Sequence, residues 1–396
     1  FGFEPLETPV MEYSDILTGK YGTDGEKLMY NFKDRAGRDV GLKYDLTVPL
    51  ARIIAQYTQI IKPFKRYQIQ PVYRYDNPQK GRYREFYQCD IDIIGTSSIM
   101  ADAECLSVCS SILTELGFKN FLIRINNRIF LNTLLSDIGF TDSEKIIVLR
   151  LLDKKKKVSS EKLDAEALEK GLNSEYFNNL ITLLSESEAD PVSFLERLRE
   201  SGTTDGIKAL LDLYSFAISL GVQEQNIKID LSLARGLDYY TSLVWETEIV
   251  EPAIGSIVGG GRYDTLVERF SKEKIPCVGI SFGFERICFA MKELSLFPKR
   301  KEYSGIFITI FNKDTLHESI YIAYELRKSG IPCELYLDKK KLKQQFKYAS
   351  RKKFKWVIII GPDEVASGKA VIRDLENSSE EKVDQSSLID FFINYK

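Results

Sequence analysis

The stretch YRYDNPQKGRYREFYQCDIDIIG, residues 73–95, constrains the fold more than any other part of the chain, because it predicts a long β-hairpin. The segments RYQIQPVYR (66–74) and REFYQCDIDII (84–94) have the composition of strands. Between them, Asn-Pro starts a turn and Gly81 relaxes it. The tip and one face of this hairpin are strongly charged, and that charge requires an explanation.

The second predicted strand separates its side chains into two faces, because successive residues of a strand point to opposite sides. The odd face is mostly apolar and the even face is mostly polar. The odd members are Glu85, Tyr87, Cys89, Ile91 and Ile93, and the even members are Arg84, Phe86, Gln88, Asp90 and Asp92. On the first strand, Gln68, Gln70 and Arg74 share one face. A half-solvated antiparallel sheet would explain this pattern without any function, and a binding face is the alternative.

Two later segments favour a binding face. In LARGLDYYT (233–241) an arginine and a glycine follow an apolar strand, which suits a phosphate or carboxylate, although a surface turn with two packed tyrosines would look the same. In GISFGFERI (279–287), Glu285 and Arg286 begin an apolar helix, and a helix N-terminus beside an arginine is a good anion site. The glycine run 259–261 lacks the ending and spacing of a P-loop.

The overall composition excludes a polycation. With 55 Lys and Arg against 57 Asp and Glu, the net charge is −2, so nucleic-acid binding would depend on a local patch. No apolar run approaches the roughly 18 residues of a membrane span. Six cysteines without a CxxC pair and a single histidine, His317, predict no protein-bound metal, and the scattered thiols predict a cytoplasmic protein. The chain opens without Met, and we expect its natural N-terminus further upstream.

Changes of amino-acid composition along the chain predict two domains. We expect a first domain over residues 1–300, interrupted at about 141–215 by a charged, helix-rich insertion. The Pro- and Lys-bearing segment 294–304 predicts a linker, and residues 304–396 predict a separate α/β domain. Strands alternating with helices in that second domain favour a mostly parallel sheet.

Several segments together resemble the motifs of class II aminoacyl-tRNA synthetases, and in particular those of the histidyl-tRNA synthetase family. The resemblance runs along the whole chain and is weakest across the insertion. FEPLETPVME is similar to the end of motif 1, VYRYDNPQKGRYREFYQCDIDIIG to motif 2, and GISFGFERI to motif 3. LKYDLTVPLAR (42–52) and LARGLDYYT are similar to histidine-specific segments, and the latter is the most specific signal in the chain.

The resemblance implies a fold and a reaction. The fold is an α+β class II synthetase catalytic core, an antiparallel sheet flanked by helices, with a helical insertion and a C-terminal α/β anticodon-binding domain. The reaction is ATP-dependent activation of L-histidine to histidyl-adenylate, followed by transfer of the histidyl group to tRNA(His). ATP would enter with Mg²⁺, and the enzyme would be a homodimer. Because such chemistry needs charge neutralisation and alignment, the charged hairpin would hold ATP and the tRNA end.

The resemblance also implies roles for the arginines. Arg74 and Arg235 would be the catalytic pair, binding the α-phosphate and the histidine carboxylate, and Arg235 would stabilise the charged transition state. Arg82 would reach the γ-phosphate. Phe86 would stack on adenine, and Arg286 would cover its other face through a cation–π contact.

The histidine pocket is implied in the same way. Its residues would be Asp45, Leu46, Thr47, Arg74, Gln88, Asp92, Arg235, Tyr239, Tyr240 and Tyr263. Asp45, Thr47 and Gln88 would bind the α-ammonium, and Asp92 with Tyr240 would bind the imidazole, since both groups need acceptors. Asp45 and Asp92 stand where some members carry Glu, which keeps the carboxylate but shortens its reach. Gln88 and Asp92 also lie on the even, polar face that alternation alone predicts.

A basic segment in the second domain is a candidate RNA-binding surface. The stretch 338–356 carries nine Lys or Arg between 339 and 355. A solvated helix face is the simple interpretation, and the resemblance to anticodon-binding domains implies contact with an RNA backbone. The run KKKK at 154–157 has two interpretations, a contact with the acceptor arm of the tRNA or simple exposure to solvent. The tRNA-contact candidates are Gln79 and Lys80 in the hairpin loop and Lys343, Lys347 and Arg351 in the basic segment.

Two non-catalytic relatives of the family are alternative interpretations. The first is the histidine-sensing regulatory subunit of ATP phosphoribosyltransferase, which usually lacks the anticodon domain and parts of the arginine set. The second is a synthetase-like domain that binds uncharged tRNA within a regulatory kinase. The four arginines and the C-terminal domain favour the active enzyme over both.

Overall fold

The two strands predicted around the charged loop pair as neighbours in a large sheet in the computed structural model of the chain. The structure describes residues 1–19, 25–78, 82–155, 158–202, 205–234, 239–250, 254–298, 305–338 and 340–394. It divides the chain into two compact units, Phe1–Leu296 and Phe297–Lys396. Within the described ranges, no helix has the length and apolarity needed to cross a membrane.

The first unit contains an eight-stranded and a three-stranded sheet. Its strands are β1 Glu4–Pro5, β2 Met11–Tyr13, β3 Asn31–Lys33, β4 Asp39–Leu42, β5 Phe64–Tyr73, β6 Glu85–Ile94, β7 Phe121–Asn127, β8 Ile227–Ile229, β9 Leu243–Ile249, β10 Ser256–Arg262 and β11 Cys277–Gly283. The large sheet has the order β1-β5-β6-β11-β10-β9-β7-β8, and the small one β2-β4-β3. In the large sheet, pairs from β5 to β7 are antiparallel, and the edge strands β1 and β8 are parallel to their neighbours. The sheet is therefore mostly antiparallel, as the resemblance implied.

The register of β5, β6 and β11 brings polar residues into neighbouring rows. Across the β5–β6 pair, Gln70 lies opposite Gln88 and Gln68 opposite Asp90. Across the β6–β11 pair, Asp90 lies opposite Ser281. Directly opposed residues in a sheet point to the same face, so these side chains are neighbours.

The even face of β6 is buried rather than solvated. Gln88, Asp90 and Asp92 are 8%, 3% and 2% exposed, so the half-solvated interpretation is wrong for this strand. The other face is apolar as predicted, because Ile91 and Ile93 belong to a buried apolar cluster. Polar side chains are costly to bury unless they are hydrogen-bonded, so the even face must have partners.

Helices pack on the apolar side of the large sheet and make up the insertion. The first-unit helices are Ser14–Leu17, Thr47–Gln56, Ile99–Glu115, Arg128–Ile138, Asp142–Lys154, Ser160–Glu169, Ser174–Ser187, Pro191–Glu200, Ile207–Ser219 and Phe284–Glu293, with 3-10 turns at Glu224–Asn226 and Val267–Arg269. The described residues between 141 and 219 form helices without a strand. Asn127 is the N-cap of the helix Arg128–Ile138, and its side chain accepts a hydrogen bond from the Ile129 N–H at 2.9 Å.

A short connection leads from β4 into the helix Thr47–Gln56. The Asp45 carboxylate accepts hydrogen bonds from the backbone N–H groups of Thr47 at 3.1 Å and Val48 at 3.0 Å. It thereby satisfies two donors that the first turn of a helix leaves unpaired. Tyr44, the preceding residue, belongs to a second buried apolar cluster. The connection is therefore anchored from both sides.

The second unit is a five-stranded sheet with helices. Its strands are β12 Ile306–Ile308, β13 Cys333–Leu335, β14 Trp356–Ile359, β15 Lys369–Asp374 and β16 Ser379–Asp384, in the order β13-β12-β14-β15-β16. Its helices are Leu316–Lys328, Leu342–Arg351, Pro362–Ser367 and Leu388–Asn394, with a 3-10 turn at Gln385–Ser387. β12 pairs parallel with β13 and β14, but the β14–β15 and β15–β16 pairs are antiparallel. The sheet is therefore mixed, and the expectation of a mostly parallel sheet is wrong because β16 closes a hairpin.

Candidate active site

A cavity of about 480 Å³ opens on the polar face of the large sheet. Its walls come from the β5–β6 hairpin, from β9, β10 and β11, and from the start of the helix Phe284–Glu293. The aromatic, charged and polar side chains on these walls include Tyr44, Arg74, Asp76, Arg82, Phe86, Gln88, Tyr240, Glu246, Ser281, Glu285 and Arg286. Three arginines on one cavity make it suited to a phosphate or carboxylate ligand.

Arg74 lies directly after β5 and is held by polar and aromatic contacts. Its Nε donates to the backbone oxygen of Tyr44 at 3.0 Å, and its Nη2 donates to Gln88 Oε1 at 3.4 Å. Its guanidinium carbon lies 4.2 Å from the Tyr44 ring centroid and 5.1 Å from that of Phe86. Among the described residues no carboxylate pairs with Arg74, so its charge is available to a ligand.

Two further arginines complete the cationic part of the cavity. Arg82, in the hairpin loop, has its Nη1 3.9 Å from Asp76 Oδ2 and is well exposed. Arg286, in the first turn of Phe284–Glu293, donates from Nη1 to the backbone oxygen of Ser256. The neighbouring Glu285 accepts from the backbone N–H of Tyr87 at 2.9 Å and so joins this helix to β6.

The inner end of the cavity is polar and narrow. Gln88 Nε2 donates to the Ser281 hydroxyl, and both residues line the cavity with Tyr240. Gly259 lies opposite Ser281 in the sheet, and a Cβ there would meet only the backbone oxygen of Trp245, at 4.0 Å. The absence of a side chain at Gly259 therefore keeps this part of the cavity open.

Asp92 lies behind the inner end and is already engaged. Its Oδ1 accepts a hydrogen bond from the Tyr263 hydroxyl, and its Oδ2 lies 2.8 Å from Arg66 Nη2. Arg66 also donates to Gln68 Oε1 at 2.6 Å and to the backbone oxygen of Leu46 at 3.3 Å. The ion pair and these hydrogen bonds form a buried network beneath the cavity.

Asp45 is likewise buried and engaged near the inner end. Besides capping its helix, it accepts a hydrogen bond from the Tyr239 hydroxyl at 3.1 Å. The ring centroid of Tyr239 lies 5.0 Å from that of Tyr240 and 5.9 Å from that of Tyr263. A series of aromatic rings thus connects the cavity wall to both buried carboxylates.

The predicted histidine-pocket residues fall into three groups. Arg74, Gln88 and Tyr240 line the cavity. Arg235 lies outside the described residues. The others are buried next to the cavity without lining it, and they are Asp45, Leu46, Thr47, Asp92, Tyr239 and Tyr263.

The predicted ATP-binding residues Arg82, Phe86 and Arg286 all line the cavity together with Arg74. Sequence reasoning missed other wall residues, including Tyr44, Glu246 and Ser281. Ser281 had a signal, since it alternates with glycines in GISFG, but Tyr44 and Glu246 had none beyond their strand or loop positions. The described residues contain no group of three or more His, Cys, Asp or Glu side chains that could hold a metal ion.

Burial changes the acidity of groups behind the cavity. Burial, reinforced by the neighbouring Asp92 carboxylate, raises the pKa of Asp90 to about 7. Burial also raises the pKa of Asp92, although the Arg66 charge opposes that shift. Burial and then the Asp90 charge raise the pKa of the Tyr240 phenol. The inner end is therefore rich in acids and poorly solvated.

Only some of the tRNA-contact candidates lie among the described residues. Gln79 and Lys80 lie outside the described residues. Lys343, Lys347 and Arg351 are exposed on the helix Leu342–Arg351, while its other side buries Gln345 and Ala349. A spacing of four residues places the three cations on one face of that helix.

Comparison with known sequences identifies relatives over nearly the whole chain. Residues 1–287 match the family model described as Histidyl-tRNA synthetase, and residues 306–395 match that described as Anticodon binding domain. The chain is 40% identical over 391 residues to the histidine–tRNA ligase of Rhodopirellula baltica, which covers 97% of this chain and 88% of the relative. It is 38% identical over 403 residues to that of Clostridium tetani, covering 100% and 91%.

Solved structures agree with the sequence comparison. The crystal structure of histidyl-tRNA synthetase from Nostoc sp. PCC 7120 has a TM-score of 0.80 and 29% identity, and covers 100% of this chain and 92% of that chain. A Bacillus halodurans protein described as an ATP phosphoribosyltransferase regulatory subunit/histidyl-tRNA synthetase shares the fold at a TM-score of 0.73 and 22% identity, covering 90% and 89%. From the two family matches and the full-length relatives, we conclude that the chain belongs to the histidyl-tRNA synthetase family of class II aminoacyl-tRNA synthetases, with a C-terminal anticodon-binding domain.

Proposed function

We propose that the cavity is the site at which this histidine–tRNA ligase activates histidine with ATP. In the first step, L-histidine and ATP form histidyl-adenylate and pyrophosphate, and in the second the histidyl group passes to tRNA(His). Full-length relatives of that activity and the matched anticodon-binding domain support the reaction. The observation that carries the assignment of the cavity is its set of three arginines beside one phenylalanine ring.

The outer part of the cavity suits ATP. We assign Phe86 to stacking on adenine and Arg286 to the opposite ring face, where a guanidinium gains from a cation–π contact. Arg82, the more exposed arginine, is assigned to the γ-phosphate, and Arg74 to the α-phosphate. All four residues line the same cavity, which supports these assignments. Mg²⁺ would accompany ATP as part of the substrate, and Glu246 offers a cavity carboxylate of the kind that this cation prefers.

The inner part suits the amino acid. We assign Gln88, with Asp45 and Thr47 behind it, to the α-ammonium, and Tyr240 with Asp92 to the imidazole. Tyr239, Tyr263 and Leu46 would form the remaining walls. The hydrogen bonds that fix the two carboxylates through tyrosine hydroxyls support a preorganised pocket.

The chemistry requires two anionic groups to meet. An oxygen of the histidine carboxylate attacks the α-phosphorus, a new P–O bond forms, and the bond to the pyrophosphate leaving group breaks. Arg74, and by resemblance Arg235, would contact both groups and neutralise the charge of the transition state. The contacts of Arg74 to Tyr44 and Gln88 hold its guanidinium in one orientation, which reduces the reorganisation needed for that step.

The remaining assignments concern partners. We propose that tRNA(His) contacts the hairpin loop at Gln79 and Lys80 and the second unit at Lys343, Lys347 and Arg351. Exposure of these last three cations on one helix face supports an RNA contact. We also propose that the enzyme is a cytoplasmic homodimer, and that residues 1–300 and 304–396 are its functional domains.

ATP–pyrophosphate exchange with the full chain, Mg²⁺ and each amino acid in turn, without tRNA, tests the proposal. We expect exchange with histidine alone. Arg74→Ala and Arg235→Ala should each lower the rate of histidine-dependent exchange by about 100-fold or more at an unchanged melting temperature. Each substitution removes a positive charge that would stabilise the transition state. Arg38→Ala, which removes an exposed arginine paired with Asp34, is the matched control and should leave exchange unchanged.

Two outcomes would contradict the proposal. Exchange with a different amino acid would leave the class II reaction but remove the histidine pocket. A complete lack of exchange, with histidine still raising the melting temperature, would favour a histidine-sensing protein.

A further inference from the structure

Asp90 is a buried acid beside the cavity that the assignments above leave unused. It lies on β6 between Gln88 and Asp92, on the same face, and it is 3% exposed. Its Oδ1 is buried and has no hydrogen-bond partner among the described residues. A buried acceptor without a partner destabilises a fold, so it calls for a ligand or a function.

The surroundings of Asp90 come from several elements. The groups that face it are Gln88 and Asp92 on β6, Gln68 and Arg66 on β5, Ser281 on β11, Tyr240 before β9, and Lys43 and Asp45 between β4 and the helix Thr47–Gln56. Three of these eight groups are themselves walls of the cavity, namely Gln88, Ser281 and Tyr240. Asp90 is thus one side chain removed from the ligand space.

The positive charges near Asp90 are already used by other groups. Arg66 Nη2 lies 2.8 Å from Asp92 Oδ2. Lys43 Nζ donates to Gln70 Oε1 and is completely buried. No ion pair of Asp90 occurs among the described residues, although three carboxylates lie at this end of the site. Asp90 therefore has no cation as a partner at the inner end, and a ligand could supply one.

The cavity extends to the row of sheet residues that contains Asp90. Asp90 lies opposite Ser281, and Ser281 lies opposite Gly259. The Ser281 hydroxyl accepts from Gln88 and makes a hydrogen bond with the Asp90 carboxylate. Since Gly259 leaves open space above this row, a ring that enters the inner end would reach the polar groups around Asp90.

We propose that Asp90 is a specificity-determining residue that supplies the counter-charge for the imidazole ring of bound histidine in its protonated form. The proposal rests on the proposed function, because it concerns the same amino-acid pocket. A protonated imidazole has two N–H donors and one positive charge. Asp92 already accepts from Tyr263 and pairs with Arg66. Asp92, with Tyr240, is assigned to one ring nitrogen, and the unpartnered Oδ1 of Asp90 is then the acceptor for the other ring donor.

This arrangement predicts a definite pH dependence. Burial raises the pKa of Asp90 to about 7, and an imidazole titrates near pH 6.5 in water, so the complex would contain one proton shared between the two groups. Below about pH 6 both free groups carry a proton and one must be released, and above about pH 7.5 neither does and one must be taken up. Histidine affinity should therefore be greatest between about pH 6.5 and pH 7.

Titration calorimetry of the full chain with histidine, in buffers of different ionisation enthalpy, tests the proposal. The wild type should show the affinity maximum near neutrality. Asp90→Asn should bind histidine roughly tenfold more weakly at neutral pH and should lose the fall in affinity above pH 7, because the buried counter-charge is gone. Asp90→Glu should keep the maximum, and ATP affinity should stay unchanged in both variants. An unchanged histidine pH profile in Asp90→Asn would overturn the proposal.

Two further measurements keep the result interpretable. A purely structural carboxylate would lower the melting temperature when changed to Asn, whereas removal of an unpaired buried charge should leave it unchanged or raise it. If Asp90→Asn does not fold, wild-type binding of triazolylalanine, whose ring stays neutral, replaces it. That analogue should lack the affinity maximum, and a profile like that of histidine would contradict the proposal. If the wild type showed no histidine-dependent ATP–pyrophosphate exchange, that result would instead refute the proposed function.

Discussion

Gly259 and Gly279 face the same side of the large sheet but have different surroundings. A Cβ on Gly279 would lie 2.0 Å from Asp92 Oδ1 and 2.7 Å from its Cγ, and a Cβ on Gly259 would meet only the Trp245 backbone oxygen at 4.0 Å. Gly279 thus makes room for a buried carboxylate between two strands. Gly259 leaves room for the ligand.

Alanine at these two positions should therefore have different effects, one on stability and the other on ligand binding. We expect Gly279→Ala to lower the free energy of unfolding by about 2 kcal/mol or more, since Asp92 or the strand must move. Gly259→Ala should keep the melting temperature but raise the KM for histidine or ATP, because its methyl group enters the cavity. Thermal unfolding and exchange kinetics measure both effects. Equal losses of stability in the two variants would contradict this difference.

Residue by residue, the sequence predicted which groups share a face but not which of them are already engaged. Alternation placed Gln88, Asp90 and Asp92 together, and the register agrees. The hydroxyl that occupies Asp92 belongs to Tyr263, 171 residues further along the chain. A partner at that distance has no local signal. Only the fold therefore distinguishes Asp92, which accepts from Tyr263 and pairs with Arg66, from Asp90, whose Oδ1 has no hydrogen-bond partner among the described residues and which makes no ion pair there.

At the scale of elements, periodicity identified those with a buried face. The hairpin strands β5 and β6 follow the alternating pattern that the sequence displays directly. β16, residues Ser379–Asp384, was missed because five of its six residues are exposed. It is held by backbone pairing with β15 at a charged sheet edge, where side chains carry no apolar signal.

The helix Leu342–Arg351 supports a prediction about RNA. Changing Lys343, Lys347 and Arg351 together to Gln should weaken tRNA(His) binding about tenfold or more and make its dependence on salt shallower, because three phosphate-binding charges are lost. Histidine-dependent exchange should not change, since the helix lies in the second unit. Filter binding at several salt concentrations measures the effect.

A matched control exists within the same unit. Lys369, Arg373 and Lys382 each lie within 4.0 Å of an acidic oxygen, and the triple change to Gln removes the same number of charges. We expect a much smaller loss of tRNA affinity from this control, since its charges are already neutralised. Equal losses from both triple variants would indicate a response to net charge rather than a defined surface.

For the whole molecule, a buried lysine links stability to pH. Burial lowers the pKa of Lys43 to about 8, whereas an unfolded lysine titrates near about 10.4. Between these values the unfolded chain binds one more proton than the folded one, so Lys43 makes stability rise with pH by up to about 1.4 kcal/mol per pH unit. This contribution is lost as the pH falls through 8.

Denaturant unfolding of the wild type and Lys43→Met between about pH 8 and pH 10 isolates this contribution. Other groups, including the buried thiols, titrate in both proteins, so the difference between the two curves reports Lys43. We expect the wild type to gain stability relative to Lys43→Met as the pH rises. Parallel curves would mean that Lys43 is not charged differently in the folded and unfolded chains.

The two units differ in what they contribute to the reaction, because each has its own apolar clusters. The clusters of the first unit draw on residues up to Leu296, and those of the second unit begin at Ile306. The cavity and all its walls belong to the first unit. A chain of residues 1–296 should therefore fold and retain histidine-dependent exchange, but should charge tRNA(His) with a kcat/KM at least about tenfold lower, since the basic helix is missing. Circular dichroism, exchange and aminoacylation on the same preparation measure these properties. A folded 1–296 chain without exchange would show that activation itself needs the second unit.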